Sequence, residues 1–166
     1  MNLETLSAIA QLVAAIGVIA SLFYLGVQIR QNTRSQKSLV VDSLTRSLIA
    51  LLGPQAGDPE QLRAFAAAAE DWHGASEADR VRCVSIFFTT FKLFENAWFQ
   101  QRHGTLDREQ WESWDLHIRV YYHRPGIKSW WTDRQHLFSA GFRRYLEAAK
   151  PISEVSSLSQ LIRNKP

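Results

Sequence analysis

Cysteine is all but missing from this chain: Cys83 stands alone among 166 residues. A single thiol excludes an internal disulfide and any thiolate metal cluster, and it suits a reducing compartment. Strand-like alternation of apolar and polar residues is missing too, as is any internal repeat. There is no glycine-rich phosphate loop, no Ser-His-Asp order, and no His or acid at a fixed spacing from Cys83. These absences remove the common enzyme classes in turn. Basic excess is small as well. The chain carries +3, and its first 27 residues hold one acid, Glu4, and no base, which leaves +4 on the remainder. So modest and scattered an excess suits contact with an anionic inner leaflet. It lacks the basic stripe that nucleic acid requires, so no nucleic-acid partner is expected.

Charge is absent from residues 6–27, LSAIAQLVAAIGVIASLFYLGV, and the rest of the chain is organised around that run. As a helix rising about 1.5 Å per residue, it spans roughly 33 Å, enough for a hydrocarbon core of about 30 Å. Glu4 bounds it on one side, and Arg30, Arg34 and Lys37 form a basic group for the membrane interface on the other. Tyr24 sits near the basic end, where an amphipathic ring suits the headgroup layer. A buried helix of a soluble protein is the competing reading, but such helices are usually shorter and less uniformly apolar. Bases on the C-terminal side alone place that side in the cytoplasm. A cleaved signal peptide would carry a basic leader, which is missing, so an uncleaved anchor is expected. Small residues Ser7, Ala10, Ala14, Gly17 and Ser21 recur at alternating steps of three and four and share one helix face. Leu6, Ile9, Val13, Ile16 and Phe23 form another, suited to lipid. Small faces let helices approach closely, so the first face is predicted to pack on a copy of itself or on a partner helix.

The 139 residues after the run hold all six tryptophans and are enough for a folded core. Residues 28–52 extend the anchor helix: no Gly or Pro interrupts the polar stretch QIRQNTRSQK, and Val40, Val41, Leu44, Leu48, Leu51 and Leu52 resume amphipathic spacing. Gly53-Pro54 is predicted to end it. A helical bundle domain follows over 58–150. Asp58-Pro59-Glu60-Gln61 starts its first helix, with Leu62, Phe65, Ala66 and Ala69 as the buried side and Gly74 as the stop. Ser76-Glu77-Ala78-Asp79 opens the next, whose apolar face is Val84, Phe87, Phe88, Phe91, Phe94 and Trp98. After Gly104, Asp107 caps a further helix with Gln110 in its capping box and a Leu106/Trp111 staple, making an antiparallel hairpin. That helix runs to about His123 and stops at Pro125-Gly126. Trp130, Trp131, Leu137, Phe138, Phe142, Tyr145 and Leu146 carry the last helix, broken near 139–141 and ended by Pro151. The tail 151–166 is polar and Ser-rich, with Val155, Leu158 and Ile162 able to form a weak helix. The fold class is all-α.

YLGVQIRQNTRS (24–35), FENAWFQQRHGTLDREQW (94–111), and PGIKSWW with the following FRRYLE (125–147) resemble a group of small bacterial proteins with one N-terminal membrane span and an uncharacterised helical domain. The resemblance implies a bacterial membrane-anchored helical protein. It brings no activity, cofactor or assigned site.

Several residues suggest chemistry. Carboxylate-bridged dimetal sites use Glu-x-x-His pairs with further Glu, because adjacent helical turns then present both ligands inward. Glu70-x-x-His73 and Asp133-x-x-His136, with Glu95 and Glu112, approximate that pattern, although His73 abuts Gly74 and the second pair uses Asp. Solvated side chains explain all six. Glu95, beside Phe88, Phe91, Phe94 and Trp98, is expected to anchor a structural ion pair with a partner such as Arg. The run 119–124, RVYYHR, reads as a helix end with cations near its negative pole and inward aromatics. One of Trp130 and Trp131 is expected in the core and one against a neighbour. Arg80 and Arg82 could favour a Cys83 thiolate.

The sequence thus predicts a single-pass protein of the bacterial inner membrane, N-terminus outside and helical domain in the cytoplasm, with no cofactor, no metal and no catalytic residues. Its expected partners are the lipid bilayer and either a second copy or another membrane subunit. The expected function is interaction or assembly through the small-residue face. The alternatives are an accessory or regulatory subunit of a larger membrane complex, and a helical enzyme with a metal or lipid-like ligand.

Overall fold

The computed structural model describes the backbone of residues 2–152; the side chains of residues 5, 6, 8–10, 13, 55 and 56 lie outside the described set. The predicted weak helix through Val155, Leu158 and Ile162 also lies outside it. All regular structure among the described residues is helical: α1 (Leu3–Ala56), α2 (Pro59–Glu70), α3 (Glu77–Arg102), α4 (Arg108–Tyr122), α5 (Pro125–Arg134), a 3-10 turn (Gln135–Leu137) and α6 (Ala140–Ala148). The chain divides into two compact units, Met1–Leu39 and Val40–Pro166.

Helix starts follow the capping chemistry. Asp58 accepts from the backbone N–H groups of Glu60 at 2.9 Å and Gln61 at 3.2 Å, with Pro59 at the first helical position. Ser76 Oγ accepts from Asp79 N at 3.1 Å and donates to the Asp79 carboxylate at 2.7 Å. Gln61 does not close a capping box; its amide reaches toward Cys83 Sγ at 4.0 Å. α1 runs past the predicted stop, through Gly53 and Pro54 to Ala56.

In the second unit, the part of α1 from Val40 onward supplies Leu44, packed with Leu93 and Ala97 of α3 and Leu106, and flanked by Val40, Val41, Leu48 and Leu51. Leu52, placed on the same face by its spacing, is exposed. The larger core is aromatic. Phe91 stacks on Trp130 with centroids 5.4 Å apart and packs at 4.6 Å on Trp131, which meets Phe138 at 4.7 Å. Each well-placed ring pair adds about 0.5–1.5 kcal/mol beyond area burial. Both tryptophans are buried, so neither serves a neighbour. Phe88, placed in the predicted face of α3, is partly exposed, because it sits about a quarter-turn off the line of Phe87, Phe91 and Phe94.

α3 and α4 form the predicted hairpin. Phe94 meets Trp114 and His117, whereas Phe91 and Phe87 meet Tyr121, so contacts advance in opposite directions along the two helices. Gly104 turns the chain with φ +70°, where a side chain would be strained. The Thr105 hydroxyl, bonded to Gln100, closes the turn.

The buried side of α2 differs from the prediction. Ala64, Ala68 and Ala69 are buried, while Leu62 and Ala66 are exposed and Phe65 is half-buried. Alanines serve there because α5 approaches at Gly126: a Cβ on that glycine would overlap the Ala68 carbonyl oxygen and lie 2.8 Å from the Ala69 carbonyl carbon. Pro125 both follows the end of α4 and starts α5. The break falls at Phe138 and Ser139, where Ser139 caps α6.

Candidate functional site

The first unit consists of one helical segment, and its described side chains are exposed through Gln36. Leu12, Ile16, Ile19, Leu22 and Phe23 each keep more than half of their surface open. The stretch Ala14–Pro54 contains a window of mean hydropathy 1.3 with none of its residues buried, so one helix is long and apolar enough, by length and composition, to cross a membrane. An apolar surface of this kind is unstable in water unless something covers it.

The described members of the predicted packing face, Ser7, Ala14, Gly17 and Ser21, are all exposed. A Cβ built on Gly17 would meet nothing within 4 Å. The side chain of Ala10 lies outside the described residues, as do those of Leu6, Ile9 and Val13 on the predicted lipid face. Carried on at the same steps, the face reaches Tyr24, Gln28, Gln31 and Ser35. The Gln28 amide donates to Tyr24 Oη at 3.0 Å along that line. Arg30 and Arg34 are exposed and Lys37 half-exposed, all beyond the apolar run.

The residues that suggested metal chemistry are not brought together. Among the described residues, no group of three or more His, Cys, Asp or Glu is placed to hold a metal ion. α2 ends at Glu70, so His73 falls in the following turn, where its carbonyl accepts from Arg80 at 3.1 Å. Glu112 pairs with Arg108 at 2.9 Å. Asp133 lies 3.7 Å from Arg134, on a different element from His136.

Glu95 is a structural anchor with partners the sequence did not reveal. Its carboxylate takes Lys92 Nζ at 2.9 Å and the backbone N–H of Ser139 at 2.7 Å, and no arginine is involved. Lys92 also donates to the Leu137 carbonyl at 3.1 Å. Burial alone would raise the Glu95 pKa, but the Lys92 and Ser139 hydrogen bonds outweigh it and hold the group below its ordinary value. Cys83 departs from the expected thiolate: burial, reinforced by Asp79, pushes the thiol up to about 11, and Arg82 offsets only part of this. Arg80 instead donates to the carbonyls of His73 and Ala75.

The run 119–124 behaves as a helix end. Arg119 lies 2.9 Å from Asp115, Tyr122 is buried, and Tyr121 packs its ring on Phe87, Phe91 and Phe94. Asp115 also accepts from Tyr145 Oη at 2.6 Å, tying α4 to α6.

Comparison with known proteins adds no relative: no protein-family model matches the chain, and neither the curated proteins nor the solved structures give a significant match. Function must therefore be argued from the exposed helix and the domain themselves.

Proposed function

We propose that this protein is a single-pass protein of the bacterial inner membrane, with its N-terminus outside and a cytoplasmic helical bundle that serves as an interaction and assembly module. The observation that supports this reading is the charge-free apolar segment of α1, whose described side chains are all exposed. A helical segment this apolar, and exposed at its described side chains, needs lipid or another helix around it. Arg30, Arg34 and Lys37 support the orientation, since bases collect on the cytoplasmic side. Ser7, Ala10, Ala14, Gly17 and Ser21 supply the close-packing face, and Gly17 with Ser21 is its small-xxx-small element. Tyr24 would carry the same seam to the end of the apolar run, and Gln28, Gln31 and Ser35 would carry it beyond as polar pairs.

The test is the mass of the protein extracted from its membrane in mild detergent, with any co-purifying chain identified. A multiple of the 19.0 kDa chain is expected. Gly17→Leu with Ser21→Leu should shift that mass toward a single chain, because two bulky residues on the seam hold the helices apart. A lone chain in the unsubstituted protein, or an assembly indifferent to both leucines, removes self-association. A fixed second chain would make the protein a subunit of a larger complex.

A further inference from the structure

A second face of α1 changes character along its length. Leu12, Ile16, Ile19 and Phe23 follow one another at steps of four and three, and each keeps more than half of its surface open. The same steps continue through Gly26 to Arg30, Arg34 and Lys37. With 3.6 residues per turn, such steps keep all of them on one side of the helix. The seam residues at the same level, Gln28, Gln31 and Ser35, lie about 125° away around the axis, so both faces can be occupied at once.

The cations on this face have no nearby acid to answer. No Asp or Glu stands between Glu4 and Asp42. Arg30 and Arg34 are exposed, and neither joins a salt bridge among the described residues. Side chains on a helix lean toward its N-terminus, so bases placed beyond the apolar run lean back toward it. Arg30 stands roughly 10 Å along the axis from Phe23, with Gly26 between them on the same line. A Cβ on Gly26 would meet nothing within 4 Å, so no packing within the chain accounts for a glycine in this helix interior. The glycine leaves backbone open at the level where apolar surface gives way to charge.

We propose that this face holds one anionic phospholipid of the inner leaflet, an inference that rests on the membrane-spanning reading above. The lipid phosphate accepts from Arg30 and Arg34, and Lys37 adds its charge. The glycerol lies over Gly26, and an acyl chain runs along Phe23, Ile19 and Ile16. A zwitterionic lipid carries its own cation and gains less from three bases. A free phosphate would leave the apolar part of the line uncovered.

Native mass spectrometry of the full chain in mild detergent tests this, with phosphatidylglycerol and phosphatidylcholine of matched acyl chains added in equal amounts. One phosphatidylglycerol per chain should be retained, at least about fivefold over phosphatidylcholine, the factor that a single base near anionic lipid supplies. Arg30→Gln with Arg34→Gln and Lys37→Gln should bring that ratio close to one, and Gly26→Leu should lower it with the bases in place. A further variant exchanges neighbours, Ile29→Arg with Arg30→Ile and Thr33→Arg with Arg34→Thr. It keeps the net charge but turns both bases about 100° around the helix, and it should lose the preference while circular dichroism shows the helix kept. No retained lipid, equal retention of the two lipids, or full preference in Gly26→Leu or in the exchanged chain overturns the site. Flotation of the parent chain with vesicles of phosphatidylcholine alone checks the span separately. A chain that floats but shows no preference loses only the lipid site, whereas one that does not float loses the span and the site together.

Discussion

Glu95 shows how much one carboxylate can organise. It ends a chain of interactions that begins on α3 and finishes at the first residue of the α6 cap, 44 positions away. Replacing it with Gln should cost about 1.5–3 kcal/mol, the range for hydrogen bonds to a charged group. Urea titration at pH 7 measures that gap. The sign of its pH dependence follows from the lowered pKa: the stabilisation is complete above the ordinary carboxyl value of 4.5 and is lost as pH falls through the folded value. The gap between parent and Glu95→Gln should therefore shrink in acid, and a gap that stays constant from pH 7 to pH 3 would refute this account. Asp79 moves in the same direction, held down first by the Ser76 hydroxyl and then by Arg63. His117 adds a second acid-side loss near neutrality. Burial and then Arg124 depress its pKa, so its contribution is present above about 6.5 and falls away below. Cys83 makes a separate prediction. A thiol with pKa about 11 and no exposed surface should resist alkylation at pH 8 until the domain unfolds. Rapid labelling of the native protein would contradict its burial.

Among the elements, the junction of α2 with α5 is the least forgiving. Gly126→Ala drives a methyl group into the backbone of Ala68 and Ala69, which cannot rotate away as a side chain could. A loss of about 1–3 kcal/mol is expected, the range for overpacking, and thermal unfolding would measure it. Gly53→Ala is the control, because a Cβ there meets nothing within 4 Å. This junction was also where the sequence misled. Helical spacing placed Leu62 on the buried side because leucine is more apolar than alanine, yet close helix approach selects for small residues rather than apolar ones. Helix starts were legible because a cap is a local arrangement: Asp58, Ser76 and the break near Ser139 each announce themselves within four residues. The bond from Ser139 to Glu95, the stacking of Arg134 on Trp72 and the reach of Gln61 toward Cys83 were not legible, because each joins residues far apart in sequence. The helix expected to stop after Leu52 runs four residues further, through Gly53 and Pro54 to Ala56.

For the whole molecule, the division at Leu39 and Val40 makes a direct prediction. A chain beginning at Val40 keeps Leu44 and its neighbours, so it should fold and unfold in one cooperative step in urea. A broad, non-cooperative transition would mean that the second unit depends on the first. The apolar run and its basic flank were readable as a membrane candidate from composition alone, whereas the stacking of Phe91 on Trp130 emerges only when α3 and α5 are set side by side. The aromatic core described above has a further consequence, for light rather than for energy. Phe91, Trp130, Trp131 and Phe138 are fixed rings in an asymmetric array, and rings so held give strong near-ultraviolet circular dichroism. That signal should vanish on any treatment that loosens the packing, even where the helices and their far-ultraviolet spectrum survive. The protein thus carries its own optical gauge of whether its interior is solid or molten.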